Sequence, residues 1–282
     1  MHRSSAFPWT YVESLLAGGR SRAEFKDVQC YVMFIGQPRS GTSLVGSLLN
    51  AHRHMLFCQE LNALKYILRG YNRNQLYWLI QKRDEEFAIG GRRWTGYDYE
   101  VPNQWQGRYE KLLVIGDKKA SCSSEIIRRH PNVVRMLEHR VGVPVSMVHV
   151  VRNPFDTITT ISRKRSHTSL RKAARMYLDR CETNWKLIED RGEAVATIHL
   201  EALIADPQRH LVDLTRFIGV SPEKEYIDAC AGVLFAKPRQ TKSSVDWPVD
   251  LIDMVIQRID KYPFLRGYEF AEPAPVDVDK AA

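Results

Sequence analysis

The stretch FIGQPRSGTSLVGSLLNAH, Phe34 to His52, decides the reading of the whole chain. An apolar run enters Gly36, a short polar loop follows, and Leu44, Val45, Leu48 and Leu49 then recur at helical spacing. A strand, a tight loop and a helix in that order are the setting of a phosphate-binding P-loop, G-x-x-x-x-G-K-[ST]. Gly36 and Gly41 keep its spacing and Ser43 fills its last place, but Thr42 stands where the lysine belongs. Backbone N–H groups of residues 39–43 can still converge on an anion at the helix N-terminus, with the helix dipole behind them. What is lost is the ammonium that reaches a β/γ-phosphate. An anion with fewer phosphates than ATP and no metal suits such a loop better, and Arg39 offers it a planar guanidinium fork.

The chain has 282 residues, 44% of them hydrophobic, enough to bury a proper core. We read one domain over 1–282, with an N-terminal segment at 1–29, an acceptor-binding insertion at 60–110 and a Pro-rich, flexible tail at 271–282. A formal charge of +8 favours an anionic partner: nucleic acid, an acidic membrane surface or a phosphorylated small molecule. The five cysteines, at 30, 58, 122, 181 and 230, show no C-x-x-C and no zinc spacing, which reads as small apolar residues of a reduced protein. No secretory h-region and no run of 18 apolar residues occurs, so a cytoplasmic protein without a membrane span is expected.

Continuous apolar runs at 30–36, 111–116, 145–151 and 194–200, with a shorter one at 54–58, are separated by helical stretches. That alternation predicts an α/β fold: a three-layer sandwich around a central parallel sheet of about five strands, like the P-loop nucleotide hydrolases. Asn153-Pro154, Asp206-Pro207 and Ser221-Pro222 each place a capping side chain before a proline and predict helix starts. Leu170, Ala174, Tyr177, Cys181, Trp185 and Ile188 predict a long helix over about 168–190. Between the loop and the run at 111, LKYILRGYNRNQLYWLIQKRDEEF reads as amphipathic helix, and the Gly-, Trp- and Tyr-rich stretch after it as irregular chain. The basic run RKRSHTSLRKAAR at 163–175 lacks the interleaved aromatics of a nucleic-acid surface and reads as a solvated helix face that raises the local potential for an anion.

With these residues in view, GQPRSGTSLVGSLLNAH resembles the 5′-phosphosulfate loop of sulfotransferases that use 3′-phosphoadenosine 5′-phosphosulfate. The P-R-S-G-T-S form is close to that of protein-tyrosine sulfotransferases and bacterial relatives. VHVVRNPFDTITTISRKR, 148–165, is similar to the family's 3′-phosphate segment: a strand, V-R-[ND]-P, then a helix with a hydroxyl eight residues after the arginine. Arg152 and Thr160 fall on those places, Thr replacing the commoner Ser, and Lys164 lies one turn further on. The resemblance spans roughly 30–250. It implies that Pro38, Arg39, Ser40, Gly41, Thr42 and Ser43 cradle the phosphosulfate, and that Glu60, twenty-one residues after Arg39, is the catalytic base. It further implies a lysine near the sulfuryl group, Lys118, and a segment closing over the cofactor at AKPRQTKSSVDWP, with Arg239, Lys242 and Ser243. Where the family often has the tyrosine of a Y-E-D-L-type motif, this chain has HLEAL, with His199 or Leu200 in its place.

The implied reaction is metal-free, in-line transfer of a sulfuryl group to a hydroxyl or amine. Glu60 takes the acceptor proton while Arg39 and Lys118 stabilise the leaving charge. Small molecules, carbohydrates, lipids and peptides all remain open as acceptors, as does a homodimer; nucleic acid is not expected. His52 and His149 are alternative bases, His149 reading more simply as a core histidine. Two rivals stand beside this reading. A P-loop kinase or NTPase would need Asp117 as its Mg²⁺-holding acid, and a non-catalytic anion or RNA binder would use the basic face.

Overall fold

The computed structural model describes residues 6–94, 96–164, 168–235 and 237–270; the tail read at 271–282 lies outside the described residues. Strand β1 (Cys30–Gly36) is buried along its whole length. Tyr31, Met33 and Ile35 face one layer of helices while Val32 and Phe34 face the other, which is what a run with no polar face demands. The remaining strands are β2 (Met55–Gln59), a short antiparallel pair of β3 (Arg93–Trp94) and β4 (Tyr97–Asp98), then β5 (Val114–Lys118), β6 (Val145–Val151) and β7 (Val195–His199). The main sheet is five-stranded and parallel, in the order β2-β5-β1-β6-β7. The chain leaves β1 toward one side of the sheet and β6 toward the other. A crevice therefore opens between their carboxyl ends, the place where open α/β sheets hold ligands.

The helices are α1 (Ala6–Arg20), α2 (Thr42–Asn50), α3 (Ala63–Leu68), α4 (Arg73–Ile89), α5 (Ala120–Arg129), α6 (Val133–Val141), α7 (Pro154–Lys164), α8 (Leu170–Arg191), α9 (Leu200–Ala205), α10 (Pro207–Ile218), α11 (Lys224–Gly232) and α12 (Val249–Ile259). Side chains of α3, α4 and α6 close over Tyr31, Met33 and Ile35, and those of α2, α10 and α11 over Val32 and Phe34. A further apolar cluster joins α7, α8 and α12 beyond the end of β6. The α/β sandwich read from the sequence is the architecture found. None of the five cysteines is disulfide-bonded. Among the described residues no helix is long and apolar enough to cross a membrane.

Several boundaries differ from the sequence reading. The run 111–116 pairs later than its apolarity suggests, from Val114 to Lys118, because Leu112 is buried by packing and not by the ladder. Gly116 sits at the tightest point: a Cβ there would meet the Val32 carbonyl oxygen at 2.4 Å and the Phe57 ring at 2.5 Å. The amphipathic stretch from Leu64 is two helices. Gly70, at φ +82°, ends the first turn region, and an Asn72–Gln75 capping box starts α4. Asn153 and Asp206 cap their helices as read, and Ser169 caps α8, but α11 begins at Lys224 and not at Pro222. The Ser221 carbonyl instead lies 3.0 Å from His52 Nε2, and the Glu223 carboxylate pairs with Arg53 at 2.7 Å.

The chain between α4 and β5 is tied down by a buried ion pair. Arg92 donates to both oxygens of Asp84 at 2.9 and 3.0 Å, and Asn50 Nδ2 donates to Asp84 Oδ1 at 2.8 Å. Asn50 Oδ1 in turn accepts from the Phe57 N–H, so this network joins α2, β2, α4 and the base of the β3–β4 hairpin. Removing one member strands a buried charge. Arg92→Ala is therefore expected to destabilise the protein by about 3–5 kcal/mol, read as a lowered urea midpoint.

Candidate active site

The loop after β1 begins with Gly36, whose N–H donates to Ser124 Oγ at 3.0 Å. Gln37 Nε2 donates to the Tyr177 carbonyl at 2.7 Å, and Ser40 Oγ donates to the Gln37 carbonyl at 3.0 Å. These bonds hold the loop from below. Arg39 adopts a left-handed backbone at φ +70°, a conformation that carries strain in a non-glycine residue. Gly41, at φ +98°, precedes α2, and a Cβ there would meet Leu200 at 2.8 Å. Of the two residues that stand at the family's tyrosine position, Leu200 is thus the one against the loop. His199 turns away, its Nε2 lying 3.0 Å from the Phe264 carbonyl oxygen.

Arg152 leaves the end of β6 and donates through Nη1 to the Arg39 carbonyl at 3.2 Å, and through Nη2 to the Arg239 carbonyl. Its Nε is buried and has no partner among the described residues. Asp156, four residues after Arg152, accepts from the N–H groups of Thr241 and of Lys242, the latter at 2.8 Å. Thr160 Oγ1 lies 3.1 Å from Thr241 Oγ1, and Arg163 donates to Ser244 Oγ at 2.8 Å. The 237–244 segment is thereby fastened along α7. Lys242 is buried, with its ammonium 5.7 Å from the Phe270 ring centre, and Ser243 is exposed; neither lines the cavity below.

On the other side of the loop, Glu60 follows β2 with φ +68°. Its N–H donates to the Lys118 carbonyl at 3.1 Å. Its two carboxylate oxygens accept from different lysines, Oε1 from Lys118 Nζ and Oε2 from Lys119 Nζ. Lys118 Nζ also donates to Ser43 Oγ at 2.8 Å, from beneath the loop, and its side chain is 1% exposed. Burial pulls the Lys118 ammonium below its ordinary pKa despite Glu60 beside it. Lys119 is half-buried; burial works against its charge as well, but its bond to Glu60 prevails and raises it. Asp117 serves the backbone. Its Oδ1 accepts from Leu61 N–H at 3.1 Å and its Oδ2 from Ala63 N–H at 2.8 Å, so it fixes the turn that carries Glu60.

Loop, Arg152 and Glu60 face one cavity of about 790 Å³. Pro38, Arg39, Gly41, Thr42 and Ser43 line it, as do Arg152, Thr160, Lys164 and Arg239; Ser40 and Lys118 lie behind the wall. The sequence reading missed Lys119, Arg163, Thr241 and Phe235, which also reach the cavity. Arg163 was legible as part of the basic run, whereas Phe235 carries no local signal. Tyr97, from the β3–β4 hairpin, meets Phe235 edge-on with ring centres 6.0 Å apart and accepts at its hydroxyl from Arg239 Nη1 at 3.2 Å.

Neither histidine offered as a base reaches this cavity. His149 is buried under the loop, with Nε2 3.4 Å from Asn184 Nδ2 and Nδ1 3.4 Å from Thr197 Oγ1. Asn184 accepts from Ser124 Oγ at 2.6 Å, which completes a polar chain up to Gly36. Burial, with the charge of His199 adding to it, drives the His149 pKa down to about 3.

No family model and no curated protein matches the sequence. Solved structures do match. The chain is similar to the sulfotransferase domain of the olefin synthase of Synechococcus PCC 7002, with 16% identity and a TM-score of 0.50, over 84% of this chain and 95% of that one. It is similar also to the sulfotransferase domain from the curacin biosynthetic pathway, with 15% identity and a TM-score of 0.51, over 84% of this chain and 98% of that one. The protein has the sulfotransferase fold. The resemblance read from the loop is borne out at that level.

His149 gives a pH prediction. Unfolded, it binds a proton near pH 6.5; folded, it refuses one until about pH 3. The unfolded state holds more protons in that window, so stability falls as pH falls through it, by up to about 1.4 kcal/mol per unit from this group. His149→Gln is expected to flatten that limb in urea denaturation series run from pH 7 to pH 4.

Proposed function

We propose that this protein is a sulfotransferase that moves the sulfuryl group of 3′-phosphoadenosine 5′-phosphosulfate to a hydroxyl or amine acceptor and releases adenosine 3′,5′-bisphosphate. One observation carries the reading: the lysine-free phosphate loop and the Arg152–Thr160 pair wall the same cavity, although Arg152 and Arg39 are 113 residues apart. The residues suit the cofactor. The unpartnered Nε of Arg152, with Thr160 and Lys164 beside it, matches a 3′-phosphate. Residues 40–43 open α2, whose first-turn N–H groups have no intrahelical acceptor, and match the 5′-phosphosulfate. Arg239, from the segment fastened along α7, closes over them.

The cofactor brings an already activated sulfuryl group. The chain's own tasks are then to align the acceptor and to stabilise charge that shifts onto the leaving phosphate. Glu60 takes the acceptor proton. Arg39 and Lys119, both in the cavity wall, face the transferring group, while Lys118 acts from beneath through Ser43 and Glu60. The excursion 60–110 supplies Glu60 and the aromatic surface of Trp94, Tyr97 and Tyr99, against which the acceptor packs. The kinase alternative loses its metal-holding acid, since both oxygens of Asp117 are taken by backbone N–H groups.

A thermal-shift titration tests this. Adenosine 3′,5′-bisphosphate at about a hundredfold over its Kd is expected to add about 2.7 kcal/mol without any metal, and Arg152→Ala to abolish the shift. A shift for ADP with Mg²⁺ alone would overturn the reading. Glu60→Gln is expected to keep the nucleotide shift and to lower kcat by about 10²–10⁴-fold in a sulfuryl-transfer assay.

A further inference from the structure

Glu60 is placed to act as a base, yet each of its oxygens already accepts from a lysine, one from Lys118 and the other from Lys119. Both lysines are also placed to serve the loop. Lys118 Nζ already touches Ser43, the loop's last residue, and Lys119 lines the cavity into which the loop opens. The same two ammonium groups thus have two claimants, the carboxylate of Glu60 and whatever anion occupies the loop. We propose that Glu60 is masked in the free enzyme and unmasked by the cofactor, so that acceptor activation is coupled to cofactor occupancy. This rests on the sulfotransferase reading and adds to it an order of events.

With the loop filled, Lys118 and Lys119 turn toward the added negative charge, and Glu60 loses hydrogen bonds and positive potential. A carboxylate so released in a half-buried position binds a proton more readily. The acceptor hydroxyl then forms its new O–S bond, the S–O bond to the 5′-phosphate breaks with its electron pair on the phosphate oxygen, and the hydroxyl proton passes to Glu60. In the free enzyme burial pushes Glu60 up, but the lysines outweigh it and hold the carboxyl below its ordinary range. Among the described residues, the other charged or titratable groups near it are Asp117 from β5, Arg83 from α4, whose Nε donates to the Gln59 carbonyl at 3.2 Å, and Cys122 beside Lys119, with Arg39 in the wall of the same cavity. Asp117 is held by backbone donors and Arg83 by a carbonyl, neither of which belongs to the loop, so the lysines are the movable part.

The test follows the side-chain carboxyl ¹³C signal of Glu60 in glutamate-labelled protein, assigned by its loss in Glu60→Gln. The signal is titrated with pH in the free protein and in protein saturated with adenosine 3′,5′-bisphosphate. Glu60 is expected to titrate about one pH unit or more higher in the complex, and Lys119→Met to move the free-protein midpoint upward toward that value. An unchanged midpoint in a protein that does bind the bisphosphate would overturn the masking and leave the sulfotransferase reading standing. Failure of the bisphosphate to bind at all, seen as no thermal shift, would remove both.

Discussion

The parallel pairing of β1 between β5 and β6 is the constraint on which the rest depends. A strand buried on both faces and hydrogen-bonded on both edges can expose its polar chemistry only at an end. Gly36 ends the strand, and the loop that follows meets Arg152 at the end of β6 and Lys118 at the end of β5. Three chain segments distant in sequence thereby arrive at one crevice, and their order along the sheet fixes which lies left or right of the loop. The close approach at Gly116 belongs to the same constraint, since a side chain there would drive β5 off β1 and carry Lys118 with it.

The site holds features that a stability-optimised sheet would avoid. Arg39, Glu60 and Asn62 adopt left-handed backbones, and Asp117 and Lys118 are charged groups almost wholly buried. Each is offset locally. The Arg39 carbonyl accepts from Arg152, the turn at Glu60–Ala63 hangs from the Asp117 carboxylate, and Lys118 has both Glu60 and Ser43. Such strain and buried charge cost of order a few kcal/mol, and they persist where the surroundings over-determine the geometry. These residues gather at the carboxyl ends of β1, β2 and β5, beside the cavity, whereas the buried Asp84–Arg92 pair, with Arg92 also left-handed, ties down the scaffold.

Much of this was legible because it is local. The loop, the V-R-N-P start of α7 and the apolar runs each declare themselves within about ten residues, and their alternation with helices gives the parallel sheet, though not the order of its strands. What was not legible depends on register or on distant partners. Lys118 and Lys119 are adjacent and chemically equal in sequence; only the ladder, extending two residues beyond the apolar run, buries the first and leaves the second in the cavity wall. Asp117 resembled a metal-holding acid because its role, accepting from Leu61 and Ala63, joins residues more than fifty positions apart. The meeting of Tyr97 with Phe235 and Arg239 is longer-range still, and no periodicity encodes it.

The excursion between Gln59 and Val114 leaves and re-enters the sheet at strands that are direct neighbours, β2 and β5. Its two roots are therefore set by a single inter-strand spacing, whatever length of chain lies between. Loop-closure cost grows only slowly with length, so the hairpin and the irregular chain after it can change length cheaply, while α3 and α4, which cover β1, and the Asp84–Arg92 pair stay as they are. The opposite wall of the cavity, by contrast, is spread over β1, β6 and α7, with Lys118 of β5 beneath it, and admits no such exchange. Divergence in a scaffold of this kind is thus channelled: one wall of the cavity is open to evolutionary trial, and the other is held fixed by the topology of the sheet.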